Sequence, residues 1–101
     1  MRRETRFTGI SPATWKRVYE RDGGRCVLCG RGGVLQGAHI VPRSKGGLGR
    51  EMNIVMLCPA CHRRYDQTPE RKAMDEEIKT YIKRLYPDWD ERNMKYRKGM
   101  E

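Results

Sequence analysis

Histidine is scarce in this chain: it occurs twice in 101 residues, beside four cysteines and one phenylalanine. No internal repeat or low-complexity tract is present. No apolar run approaches the roughly 20 residues that a membrane-spanning helix needs. The start, Met1-Arg2-Arg3-Glu4-Thr5-Arg6, has no apolar segment behind its basic residues, which argues against a secretory leader. The expected compartment is therefore cytoplasmic and reducing, where cysteines serve as metal ligands rather than disulfides. Hydrophobic residues make up 37% and charged residues 35%. A chain of this size and composition forms one small domain with a thin core, and such domains need a staple.

Acidic residues are also short in the first two thirds. Residues 1–69 carry 13 Lys/Arg against 5 Asp/Glu, whereas residues 70–101 carry 9 against 8. The net charge of +9 thus resides almost wholly in the first part. A concentrated positive field calls for a polyanionic partner, most often nucleic acid.

All the cysteines and histidines fall in that basic part. Cys26-x-x-Cys29 and Cys58-x-x-Cys61 are matched pairs, His39 lies between them, and His62 follows directly. Two C-x-x-C turns supply four thiolates, the closed tetrahedral shell of a structural zinc. The long insert between the pairs must loop out from the metal, and it carries His39 and Asn53. A redox C-x-x-C explains one pair and not two. Cys58-Pro59-Ala60-Cys61-His62 also fits the haem-attachment pattern C-x-x-C-H. That chemistry wants an export signal and leaves the other pair unexplained.

Ser11-Pro12 reads as a helix start, with Trp15, Val18 and Tyr19 on one face and Asp22-Gly23-Gly24 as its end. Residues 25–42 read as two short strands with a turn near Gly37. Residues 43–52 form a glycine-rich basic loop, and Asn53 to Leu57 returns the chain to the second cysteine pair. Pro59 opens a helix through Cys61, His62, Tyr65 and Asp66. Met74, Ile78, Tyr81, Ile82 and Leu85 mark an amphipathic helix from Glu70 to Tyr86, stopped by Pro87. Its stripe is expected to pack over the zinc core and the first helix around Trp15, with a partner-docking surface as the other use. Asp90 to Lys98 is a short helix or a tail.

Residues 26–66 resemble the HNH endonucleases. The likeness rests on Cys26-Val27-Leu28-Cys29, on Ala38-His39-Ile40-Val41-Pro42-Arg43-Ser44-Lys45-Gly46-Gly47, on Asn53, and on Leu57-Cys58-Pro59-Ala60-Cys61-His62. The family name's letters fall on His39, Asn53 and His62. The layout looks most like the small HNH proteins of bacteriophages and prophages. The resemblance implies an α+β, zinc-stapled domain over residues 1–101. Its ββα-metal (His-Me finger) core spans 26–66 between an N-terminal helix and a C-terminal helical extension over 69–98. It implies metal-dependent hydrolysis of DNA phosphodiester bonds, with nicking expected of a monomer. His39 would be the general base, and Asn53 would tie the loop to the hairpin. Phage proteins of this kind act beside DNA-packaging machinery, which extends the expected partners to packaging proteins in a bacterial host cell.

The pattern breaks at Ala38, where many members carry Asp or His as a metal ligand. His62 and Asp66, four apart on one helical face, are the candidates for that role here. They would hold Mg²⁺ or Mn²⁺, with Ni²⁺ or Zn²⁺ as alternatives. Arg43, Lys45, Arg50, Arg63 and Arg64 are the candidate phosphate contacts, each otherwise a solvated surface charge. Two rivals stand beside the nuclease: a non-catalytic zinc-stabilised DNA-binding module, and a subunit whose zinc frame serves protein contacts.

Overall fold

Residues 7–8 are helical, and Ser11 starts the next helix. Its Oγ accepts from the Thr14 N–H at 3.1 Å, and Pro12 takes the first helical position. In this computed structural model, which describes residues 7–96, the order is α1 (Pro12–Arg21), β1 (Gln36–His39), β2 (Ile54–Leu57), α2 (Pro59–Gln67) and α3 (Arg71–Leu85). Short 3-10 turns lie at Arg43–Lys45, Glu51–Asn53 and Glu91–Met94. The basic start Met1 to Arg6 and the end of the tail through Lys98 lie outside the described residues.

β1 and β2 pair antiparallel, with Gln36 opposite Leu57 and His39 opposite Ile54. The two strands expected within residues 25–42 are therefore one. Its partner lies across residues 40–53. The glycine read as a turn, Gly37, sits inside β1. A side chain there would meet the Ile10 Cδ1 at 2.9 Å and the Ile54 Cγ2 at 3.3 Å, so glycine lets Ile10 lie close against the strand, and a larger residue would make that side chain shift. Residues before β1 fold as a knuckle instead. The Cys26 N–H donates to the Arg31 carbonyl and the Gly30 N–H to the Cys26 carbonyl, both at 2.9 Å.

Every residue of β2 is buried, because α1 and α2 both pack on it. Val18, Ala38, Ile54, Val55, Met56, Leu57, Tyr65, Ile78 and Ile82 are fully enclosed. Each large aliphatic among them stabilises the fold by about 1.5–3 kcal/mol. The stripe of α3 buries Met74, Ile78 and Ile82 against this core, while Leu85 stays partly exposed. α3 reaches α1 at its C-terminal end, where the Tyr81 hydroxyl bonds the Asp22 carboxylate.

A part-buried ion pair locks the same corner. Arg21 donates to Asp22 and, at 2.7 Å each, to the carbonyls of Glu51 and Ile54. Asp22 in turn accepts from the Met56 N–H at 2.9 Å. Backbone groups at the C-terminal end of the insert are satisfied in this way.

The glycine-rich loop is pinned on both sides. The Leu48 N–H donates to the Met94 carbonyl at 2.8 Å, and the Gly49 N–H to the Phe7 carbonyl at 2.7 Å. A Cβ on Gly47 would lie 1.7 Å from the Val41 carbonyl oxygen, so only glycine fits where the loop folds back on itself.

Candidate active site

The frame comes first. Cys26 and Cys29 leave the knuckle, while Cys58 caps α2 and Cys61 lies in its first turn. All four sulfurs lie within 4.8 Å of one another, and Cys29 Sγ is 3.7 Å from Cys58 Sγ. A tetrahedral zinc with bonds of about 2.3 Å separates its sulfurs by about 3.8 Å. The thiols are unpaired by disulfides. Backbone N–H groups of Cys29 and Cys61 point at the sulfurs of Cys26 and Cys58, at 3.5 and 3.4 Å. Burial works against ionising Cys26, but N–H donors from Cys29, Cys58 and Leu28 outweigh it and bring the thiol down to about 7. The cluster is compatible with a structural zinc. Among the described residues it is the one group of three or more such donors drawn together.

α2 starts at this cluster and carries His62 and Asp66 one turn apart. His62 Nε2 lies 3.0 Å from Asp66 Oδ2, and His62 Nδ1 lies 2.7 Å from Gln36 Oε1 on β1. Cis ligands in an octahedral shell with bonds of about 2.1 Å stand about 3 Å apart. The pair makes an i,i+4 His–Asp contact, a spacing that two ligands of one hydrated divalent cation would share. A glutamine oxygen on the far ring nitrogen is the kind of partner that fixes a ligating imidazole.

His39 ends β1. Its Nε2 lies 2.7 Å from the Thr8 carbonyl oxygen. A carbonyl only accepts, so Nε2 carries the proton and the neutral ring keeps its lone pair on Nδ1. Burial holds the pKa of His39 below its ordinary value. Thr8 opposes that shift and the nearby Arg43 adds to it, with smaller opposed effects from Asp66 and His62.

His39, His62 and Asp66 line one open cleft of about 710 Å³, together with Arg43, Lys45 and Arg71. Asn53 does not line it. Fully buried, Asn53 accepts from the Val41 N–H at 2.9 Å and donates to the carbonyls of Leu48 and Val41 at 2.8 and 3.2 Å. It ties the start of the basic loop to its end. Ala38 is fully enclosed in the core, and its neighbours Gly37 and His39 face the cleft in its place.

The basic residues divide. Arg43 and Lys45 border the cleft. Arg63 lies in a smaller groove on the other side of the His62–Asp66 pair. Arg50 is exposed at the far end of the loop. Arg64 is engaged with Glu70 at 2.6 Å.

Two contributors carry no signal in the sequence. Thr8 acts through a main-chain oxygen, which any residue supplies. Arg71 reaches the cleft only because α3 folds back over α2.

Residues 26–68 match the HNH endonuclease family. This stretch of the chain is an HNH endonuclease domain. The chain is also 30% identical over 77 residues to the type IV methyl-directed restriction enzyme EcoKMcrA of Escherichia coli (strain K12). That likeness takes in 67% of this chain and 28% of the enzyme. Anaredoxin of Nostoc sp. (strain PCC 7120) is 33% identical over 51 residues, covering 50% of this chain and 67% of that protein. The chain therefore spans little more than a quarter of the restriction enzyme it matches. The HNH core is α+β, and no helix among the described residues is long and apolar enough to cross a membrane.

Proposed function

We propose that this protein is a metal-dependent endonuclease that hydrolyses DNA phosphodiester bonds in the cleft between β1 and α2. The carrying observation is the tautomer of His39. Its Nε2–H is held by the Thr8 carbonyl, and its Nδ1 lone pair shares a cleft with the His62–Asp66 pair. In this reading Nδ1 takes a proton from water. The resulting hydroxide attacks phosphorus, and the bond to the leaving oxygen breaks with its electron pair. His62 and Asp66 would hold a divalent cation, Mg²⁺ or Mn²⁺ before Ni²⁺ or Zn²⁺. When bound, it supplies Lewis-acid stabilisation of the charge developing on the phosphate and leaving oxygen. Arg43 and Lys45 grip the phosphates on one wall, and Asn53 keeps that wall in place. The four cysteines hold zinc.

One site per chain means that a monomer nicks one strand. The test is relaxation of supercoiled plasmid by zinc-loaded protein, with EDTA, Mg²⁺, Mn²⁺ or Ni²⁺, beside His39→Ala. Nicking that requires added cation and disappears in His39→Ala is the expected result. Scission that survives His39→Ala would end the assignment.

The enclosed Ala38 favours a second reading, a zinc-stabilised DNA-binding module without turnover. At the position where a ligand is expected, the chain presents a methyl group to the core. Salt-sensitive DNA binding with no scission under any cation would select it. On the resemblance of the motif layout to small phage HNH proteins, packaging proteins and a bacterial cytoplasm are the proposed setting to examine.

A further inference from the structure

Arg71, the first residue of α3, joins the two walls of the cleft. Its Nη2 donates to the Ile40 carbonyl at 2.9 Å, one residue past His39. Its Nη1 donates to the Tyr65 carbonyl at 3.2 Å, one residue before Asp66, and lies 3.5 Å from Asp66 Oδ1. The guanidinium carbon sits 3.9 Å from the centroid of the buried Tyr65 ring. A planar fork of donors can serve two carbonyls and a carboxylate while stacking on a ring, and an ammonium cannot. Here both terminal nitrogens donate within the protein, so three of the five N–H donors of the fork are committed to the walls of the cleft.

We propose that Arg71 is a positioning residue for the cleavage reaction. It fixes the spacing between His39 on β1 and the His62–Asp66 pair on α2. It also turns the Asp66 carboxylate so that Oδ1 faces the guanidinium and Oδ2 faces His62. This role rests on the reading of His62 and Asp66 as the cation site. Groups that orient ligands in this way typically carry about 10–100-fold in metal affinity or activity.

The experiment uses the full zinc-loaded chain as wild type and Arg71→Lys. Mn²⁺ binding is followed by calorimetry without DNA, DNA affinity is measured in EDTA, and kcat is taken under saturating DNA. Arg71→Lys is expected to keep DNA affinity within about twofold, because positioning touches no phosphate. It should lose about 10-fold or more in kcat and bind Mn²⁺ more weakly. Unchanged kcat and Mn²⁺ affinity would overturn the role. So would a loss confined to DNA affinity, which marks a phosphate grip, or a lowered melting temperature with normal kcat, which marks scaffolding alone. Should Arg71→Lys melt below the assay temperature, Arg71→Gln with millimolar guanidinium replaces it. Recovery of kcat beyond that given by equal NaCl supports positioning, and no recovery overturns it. A wild-type protein that binds no Mn²⁺ overturns the cation site and this role together. Wild-type binding with an unaltered variant removes the role alone.

Discussion

The imidazole of His39 hangs from the Thr8 carbonyl, Nε2 to oxygen at 2.7 Å. A main-chain atom at the beginning of the described chain thereby sets the tautomer of a residue at the end of β1. Because burial holds the pKa of His39 below the ordinary imidazole value, the ring stays neutral to lower pH. The acid limb of kcat/KM should therefore fall below about pH 6.5. Stability follows the same sign. Below that value the unfolded chain binds a proton that the folded chain still refuses, so stability drops as pH falls toward the folded pKa. His39→Ala should flatten that part of the stability curve. An acid limb at or above pH 6.5 in the wild type would contradict the assignment.

Gly49 guards this arrangement from the other side. A Cβ there would stand 2.0 Å from the Gly9 carbonyl oxygen and 3.0 Å from that of Thr8. Backbone, unlike a flexible side chain, cannot step aside, so Gly49→Ala must push residues 8–9 away from the loop and take the Thr8 carbonyl off His39. Displacing a catalytic group by about 1 Å can cost about 100-fold in rate. We expect a reduction of that order in nicking with zinc content unchanged. Wild-type rates in Gly49→Ala would show that Thr8 does not hold the base.

Asn53 shows what the residue order reveals and what it conceals. The family resemblance is what implies that it ties the loop to the hairpin. In the structure it is buried and makes three main-chain bonds, to Val41 and Leu48. The cysteine frame, α1 from Ser11-Pro12 and α3 up to Pro87 are equally readable, because caps, prolines and ligand spacing are local signals. The β-pairing is not. Gly37 looks like a turn until Ile10 is known to lie against it, and the partner strand comes after the insert. Arg71 and Thr8 are invisible for the same reason. Their roles depend on α3 and the N-terminal segment folding back over the motif.

Removing the Asn53 amide tests the tie. Asn53→Ala leaves a buried N–H and two carbonyls without partners, at about 1–3 kcal/mol for an unsatisfied group. For a domain of this length each kcal/mol shifts the melting temperature by about 4–8 °C. A drop of about 10 °C or more is expected by calorimetry, and Asn53→Asp should not rescue it because a carboxylate has no N–H to donate. A melting temperature within a few degrees of wild type would mean that water satisfies the loop.

Chelation addresses the frame. Four thiolates on one zinc contribute folding energy outright, with apparent values of about 10–16 kcal/mol in small zinc domains. Stripping the metal under reducing conditions should abolish the cooperative melt. It should release one zinc per chain and expose four thiols to a thiol reagent. Two reactive thiols in place of four, with no zinc released, would point to a disulfide instead of a metal.

The basic residues should contribute unequally to DNA affinity. Arg43 and Lys45 line the cleft. Arg64 is bonded to Glu70 at 2.6 Å, and both side chains are more than half exposed. A cation already neutralised by a neighbour displaces fewer counterions from DNA than a free one. Removing one side chain that neutralises a phosphate should reduce the slope of log K against log salt by about 0.9 on duplex DNA. Arg43→Ala and Lys45→Ala should each reduce it by about that amount, whereas Arg64→Ala should change it little. Glu70→Gln should act in the opposite direction, freeing Arg64 and steepening the slope. If Arg64→Ala weakens binding as much as Arg43→Ala, the Glu70 pair must open on DNA, and the binding surface extends along α2 beyond the cleft.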